Sequence, residues 1–414
     1  MAPRITVDLA PLRESREFRL LFTGLLVSML GNQLTTVAIP FQVFSMTHSS
    51  LQVGLVSLAQ LVPLVVGSLV GGTLGDAMDR RRLMVASSAL SAVAAAGLMA
   101  NALLPHPSLA AIYVISALAA GLLGLASPAR TAAIPRMVRP QLLVAAYSFN
   151  QIVIQVATIV GPALAGVLIA TVGLSWTYGL DAASFVVLLG TALLLRPIPP
   201  EHGGQRAGVR SILEGMAFLK GRQVLQGVYL VDLNAMIFGM PRALFPALAA
   251  GLFHVGPGGL GLLYAAPGVG ALLGASTTGW AEDIERRGRA VVVAVIVWGA
   301  AVAVMGMVPW LWVALVLLAI AGWADVISAV LRNTILQSSI PDAMRSRLSS
   351  FQMAVVQGGP RLGDAEAGGV AALSSTEFSV VSGGVACVVG AILVARLLPG
   401  FWSERHRPGE VPAG

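Results

Sequence analysis

The amino-acid sequence predicts an all-α membrane protein, with twelve transmembrane helices in two pseudo-symmetric six-helix bundles. Three observations predict it. Of 414 residues, 56% are apolar and only 11% charged, against about 25% charged in a soluble domain, so the apolar excess is solvated by lipid. Long stretches carry no charge at all, and the chain repeats itself near its midpoint. At about 20 residues per span, twelve spans use about 240 residues and leave short loops.

The charge gaps place the first six helices. Asp, Glu, Lys and Arg are absent between Arg19 and Asp76, Arg82 and Arg130, and Arg139 and Asp181, which leaves gaps of 56, 47 and 41 residues. Each gap is long enough for two spans and has turn residues near its middle: Thr47 to Ser50, Leu104 to Pro107, and Thr171 to Gly173. In the second half a few charges fall inside the apolar stretches, and the spans are expected at 224–251, 259–280, 290–308, 310–337, 348–372 and 378–396. The domains are therefore expected at 1–196, a first six-helix bundle, and 223–414, a second bundle with a short tail, joined by a linker at 197–222.

Orientation follows from where Lys and Arg fall. With both termini on the cytoplasmic side, 23 of the 26 Lys and Arg lie in inner segments, the outer loops hold none, and Arg242, Arg332 and Arg361 lie inside spans. The net charge of +7 is thus a topology signal, and no nucleic-acid partner is expected. Residues 1–19 are charged and the apolar stretch after them is too long for a cleavable signal peptide. The single cysteine, Cys387, excludes an intramolecular disulfide. The five histidines stand at no metal-ligand spacing, so no metal and no cofactor is expected. No phosphate-binding GxxxxGK[ST] loop occurs, so ATP is not the expected energy source. Gly268-Val269-Gly270 lies in an apolar span and reads as helix packing rather than a dinucleotide turn.

The internal repeat has an offset of 207. Gly72, Asp76, Arg80 and Arg82 recur as Gly279, Asp283, Arg287 and Arg289. Pro40 matches Pro246, and Ile134-Pro135 matches Ile340-Pro341, at an offset of 206. Two such halves cradle a site near the bilayer midplane.

The motif Gly72-x3-Asp76-x3-Arg80-Arg81-Arg82 resembles the signature between the second and third helices of the major facilitator superfamily. With Asp79 where many members have Gly, it is similar to the drug and siderophore efflux branch. Stretches at 46–55, 101–113, 176–180, 242–249 and 336–344 resemble siderophore exporters of that branch, and the resemblance covers nearly the whole chain. It implies that Gly72, Asp76, Arg80, Arg81 and Arg82, with Gly279, Asp283 and Arg287, form a gate latch; the alternative is that the arginines only anchor topology. Gly161, Pro162 and Gly166 resemble the antiporter signature of exporters in degenerate form, with Ala157 and Ala165 at two Gly positions. An arginine that many proton-coupled exporters carry within the fourth span is absent between 108 and 129, and Arg130 is expected at the end of that span.

Ionisable groups inside a span are costly and mark candidate sites. They are Asp181, Asp232, Arg242, Asp325, Arg332, Arg361, Asp364 and Glu366. The superfamily resemblance places the first, fourth, seventh and tenth spans around a central cavity, which favours Asp232, Arg242 and Asp325. Asp232, Asp325 and Asp364 are the candidate proton carriers, each with a static ion pair as the alternative. Arg242 and Arg361 are candidate substrate contacts. Asn32, Gln33 and Gln155 are uncharged candidates that also read as packing groups. Arg361 and Asp364, three residues apart, could pair within their span. Asp325 and Arg332 are expected to share a face without touching, and Arg332 to snorkel.

The function expected is secondary, proton-antiport export of an amphipathic organic molecule across the bacterial inner membrane by alternating access, from a monomer whose partners are substrate, protons and the bilayer. A catecholate siderophore is the first substrate, a broad drug or macrolide efflux the alternative, and a nutrient importer or a non-transporting sensor comes after them. No catalytic cluster suggests an enzyme.

Overall fold

The computed structural model describes residues 9–199, 214, 216–277 and 284–404, without side chains at 76, 342–343, 345–347, 349–350 and 353–354. The described residues are helical throughout, linked by short turns. The long helices are α1 (Arg16–Thr47), α2 (Ser50–Ala77), α3 (Arg80–Leu103), α4 (Leu109–Met137), α5 (Leu143–Thr171), α6 (Gly173–Leu194), α7 (Gln223–Phe238), α8 (Pro257–Thr277), α9 (Arg287–Met305), α10 (Leu311–Ser339), α11 (Asp342–Leu373) and α12 (Thr376–Leu397). Eleven helical stretches among the described residues are long and apolar enough to cross a membrane. The remaining predicted span, the eleventh at 348–372, falls within α11, which runs for 32 residues and carries the charges of Arg361, Asp364 and Glu366.

Local chemistry fixes the helix ends. Asp79 is the N-cap of α3, its carboxylate accepting from the Arg81 backbone N–H at 2.8 Å. Ser108 caps α4 and Ser375 caps α12 in the same way. The α3–α4 turn is closed by Asn101, whose side chain accepts from Ser108 N at 2.8 Å and donates to Ser108 O at 3.3 Å. Gly173 opens α6 with φ +87°, a left-handed conformation that glycine adopts without steric cost.

The helices group into two compact units, Met1–Gln42 with Ala59–Arg206, and Val43–Leu58 with Ala207–Gly414. Residues 43–58 thus pack in the second unit, while the sequence repeat places them in the first half.

In the first unit Phe18, Phe22 and Phe149 stack edge to face among Leu83, Met84, Ala133 and Ala146. There α2 and α4 meet backbone to backbone: a Cβ on Gly67 would stand 2.1 Å from Gly121 O, and one on Gly71 would stand 2.3 Å from Leu125 O. The second unit repeats this crossing between α8 and α10. A Cβ on Gly270 would lie 1.7 Å from Ala319 O, and one on Gly322 would lie 2.0 Å from Pro267 O. Gly270 therefore serves helix packing, as its apolar surroundings predict.

Large apolar side chains such as Val62, Val93, Leu118, Leu193 and Trp312 are more than half exposed. Such a surface is stable against lipid, where helices satisfy their own backbone groups.

Candidate functional site in the membrane-spanning helices

The seventh span is broken. α7 ends at Phe238, the chain turns through Gly239-Met240-Pro241, and helix resumes as a 3-10 turn, Arg242–Leu244, followed by Phe245–Gly251. Pro241 cannot donate to the ladder and Pro246 lies just inside the resumed helix, so the break follows from the sequence. The freed backbone groups find partners. Trp298 Nε1 donates to Gly239 O at 2.7 Å, and the Tyr264 hydroxyl donates to Arg242 O at 3.0 Å. Asp364 of α11 accepts from Ala243 N at 3.0 Å and from the Ser57 hydroxyl, so it caps the resumed helix.

Close crossings bring these groups together. A Cβ on Gly54 would meet Asp364 O at 2.3 Å, and one on Gly368 would meet Ser50 O at 2.6 Å. Arg361 and Asp364, which could pair by their spacing, act on each other electrostatically but form no ion pair; the Arg361 guanidinium donates to Gln357 O at 2.8 Å, one turn back on α11. The backbone N–H and hydroxyl that hold Asp364 direct its carboxylate elsewhere. Arg242 contributes its carbonyl to Tyr264, and no ion pair of its side chain is found among the described residues.

Deeper in the second unit, Arg332 of α10 is 6% exposed and Asp232 of α7 is 5% exposed. Arg332 Nη1 bonds Asp232 Oδ1, and Arg332 Nη2 lies 3.9 Å from Asp325 Oδ1. Two sequence expectations are corrected here. Arg332 is a buried ion-pair partner rather than a snorkelling group, and it does touch Asp325. Two turns of helix separate Asp325 from Arg332, about 10 Å along the axis, and the long arginine stem spans the distance. One cation thus stands between two carboxylates.

The first unit carries its own buried carboxylate. Asp181 of α6, 2% exposed, accepts from the Thr35 hydroxyl at 2.5 Å and from Ser184 Oγ at 3.3 Å. Beside it, Tyr178 donates to Gln42 at 2.8 Å. A cavity of about 30 Å³ is lined by Asp181, Thr35, Asn32, Ser91, Leu123 and Arg130, among others. Arg130 is therefore not at the helix end, as the sequence suggests: α4 continues to Met137, and the guanidinium faces inward. Gly161 packs α5 on α1, since a Cβ there would stand 2.4 Å from Gln33 Cβ. Pro162 and Gly166 are buried, and Gln155 is half-buried.

The loop motif is built into one end of the first unit. Asp79 Oδ1 also accepts from Ile198 N at 3.0 Å, and Arg80 N donates to Ile198 O at 3.1 Å. Arg80 Nη1 reaches Ala132 O on α4 at 3.0 Å, while Arg81 reaches Ala192 O at 3.2 Å and Leu193 O at 2.6 Å on α6. Guanidinium groups thus satisfy carbonyls near the C-terminal ends of two helices, where the helix dipole favours positive charge. Arg82 is exposed, Gly72 is half-buried within α2, and the Asp76 side chain lies outside the described set. In the repeat, Arg287 is 7% exposed at the start of α9, and Gly279 and Asp283 lie outside the described residues. The cap by Asp79 was legible as Asp immediately before a helix start; the inward turn of Arg130 had no such signal.

Residues 6–408 match the family model described as transmembrane secretion effector. The chain belongs to this family, within the major facilitator superfamily. It is 33% identical over 409 residues to the enterobactin exporter EntS of Citrobacter koseri, covering 99% of this chain and 98% of that protein. It is 30% identical over 407 residues to the enterobactin exporter EntS of Escherichia coli O1:K1, covering 98% of each. Among solved structures, a bacterial homologue of the lysosomal transporter Spinster aligns with TM-score 0.73 and 14% identity over 95% of this chain and 98% of that one. A bacterial homologue of the iron transporter ferroportin aligns with TM-score 0.70 and 16% identity over 94% and 99%. At these identities the structural matches establish the fold. The family fixes the class as a multi-pass membrane transporter and not an enzyme.

Proposed function

We propose that this transporter exports an amphipathic, acidic small molecule of the enterobactin type from the cytoplasm across the bacterial inner membrane, by alternating access and in exchange for protons. Full-length similarity to two proteins named enterobactin exporter carries the substrate class. The distribution of Lys and Arg supports cytoplasmic termini.

The observation that carries the coupling is the Asp232–Arg332–Asp325 group. Its two carboxylates share one cation, so the group holds a net negative charge that a single proton neutralises. Asp325, whose side chain is a third exposed, is the carboxylate that exchanges the proton, and Asp232 stays with the arginine. Asp364 is the further proton carrier. Arg242 and Arg361 offer positive charge to an acidic substrate, and Asn32, Gln33 and Gln155 offer uncharged hydrogen bonds. The motif from Gly72 and Asp76 to Arg80, Arg81 and Arg82 is the gate element, with its repeat at Gly279, Asp283 and Arg287 as counterpart. The antiporter-like Gly161, Pro162 and Gly166 allow α5 to pack and bend.

Inverted membrane vesicles with an imposed pH gradient test the reading. Enterobactin uptake is expected to follow the gradient and to fall about tenfold or more in Asp325→Asn. Uptake indifferent to the gradient removes the proton, and uptake of macrolides in place of enterobactin moves the reading to broad drug efflux.

A further inference from the structure

The first unit holds a carboxylate surrounded quite differently from Asp232. Asp232 is bound by a guanidinium, a group that only donates and so cannot accept the O–H of a protonated carboxyl. Asp181 is bound by the Thr35 hydroxyl, and the Ser184 hydroxyl, which donates to the Asp181 backbone carbonyl at 2.7 Å, also lies 3.3 Å from its carboxylate. A hydroxyl both donates and accepts, so the same partners satisfy a carboxylate and, after rotating, a carboxylic acid.

The space around Asp181 is built for this exchange. Gly31 of α1 makes the room: a Cβ there would stand 2.1 Å from Ser184 Oγ and 2.8 Å from Asp181 Oδ1. The adjoining cavity of about 30 Å³ exceeds the about 10–15 Å³ that a water needs, and its polar lining supplies the partners a buried water requires. Arg130 lines the same cavity without a direct ion pair to Asp181. The charged and titratable groups facing Asp181 are few. α4 gives Arg130, α6 itself gives Tyr178, and α1 and α3 give only the uncharged Asn32, Thr35 and Ser91. α5 has no charged residue.

We infer that Asp181, beside the cavity that Arg130 also lines, is a further proton-binding site, confined to the first unit and separate from the Asp232–Arg332–Asp325 group and from Asp364. A proton relayed in from outside through the cavity binds a carboxylate oxygen, and the Thr35 hydroxyl turns from donor to acceptor to receive the new O–H. This deepens the proton-coupled reading above, but proton binding at Asp181 does not require that reading.

Infrared difference spectroscopy on the full-length protein in lipid nanodiscs, titrated in H2O and D2O without substrate or gradient, tests it. A protonated-carboxyl band is expected to grow in on acidification and to be missing in Asp181→Asn. Its midpoint should move by about one pH unit or more, tenfold in proton concentration, in Thr35→Val. A titrating band unchanged in Asp181→Asn overturns the inference. Where Asp181→Asn does not yield folded protein, a midpoint identical to wild type in Thr35→Val overturns it. Since no substrate is present, loss of this site leaves the transport reading standing, and failure of enterobactin transport leaves the site standing.

Discussion

Arg332 bonds Asp232 across 100 residues of sequence, from α10 to α7, with both side chains less than a tenth exposed. Removing one member of a buried pair leaves the other charge uncompensated, which costs about 3–5 kcal/mol. Arg332→Gln is therefore expected to lower the melting temperature of the detergent-solubilised protein sharply. The neutral double variant Asp232→Asn with Arg332→Gln should recover much of that loss without recovering gradient-driven uptake. Equal melting in single and double variants would contradict the pairing.

Asp79 does two things at once, capping α3 and accepting from Ile198 N. Asp79→Ala is expected to destabilise by about 1 kcal/mol, and Asp79→Asn, which keeps an acceptor oxygen, by less. Thermal unfolding of the two variants separates the hydrogen bond from the charge.

The glycine crossing of α8 and α10 tolerates no side chain. Gly270→Ala, whose new carbon would fall 1.7 Å from Ala319 O, is expected to cost about 3 kcal/mol, at the top of the overpacking range. Gly190→Ala in α6 meets nothing within 4 Å and should be neutral or stabilising by about 0.5 kcal/mol. Size-exclusion profiles before and after heating give the comparison.

The proposed cytoplasmic termini predict the behaviour of fusions. A fluorescent protein fused after Gly414 is expected to fluoresce, and alkaline phosphatase at the same place to be inactive, with the reverse at His106 in the α3–α4 turn. Activity of the phosphatase at the C-terminus would invert the topology.

Topology was legible in the sequence because transfer into lipid is paid residue by residue and adds along the chain. Charge-free gaps of 56, 47 and 41 residues read as spans, and the clustering of basic residues in alternate loops is the signal from which an orientation is proposed. The repeat at Gly72 and Gly279, and the family resemblance, are likewise local patterns. α11 was readable as a span from its place in the repeat despite its charges.

Which charges meet was not legible. Arg332 looked like a snorkelling group near a helix end, and its true partners lie on another helix and two turns away on its own. Arg361 looked able to pair with Asp364, yet a backbone N–H and a hydroxyl had already taken that carboxylate. Arg130 looked terminal until α4 ran on to Met137. Each outcome depends on how far a helix continues and how it is rotated against its neighbours. Those quantities are set by close crossings such as Gly31 on Ser184 and Gly54 on Asp364. The sequence by itself therefore determined the spans, their repeat and the family, since these are sums over neighbouring residues. Only the tertiary structure decided the partners of Asp181, Asp232 and Asp364, because hydrogen bonds and ion pairs act within a few ångströms between segments that the sequence keeps far apart.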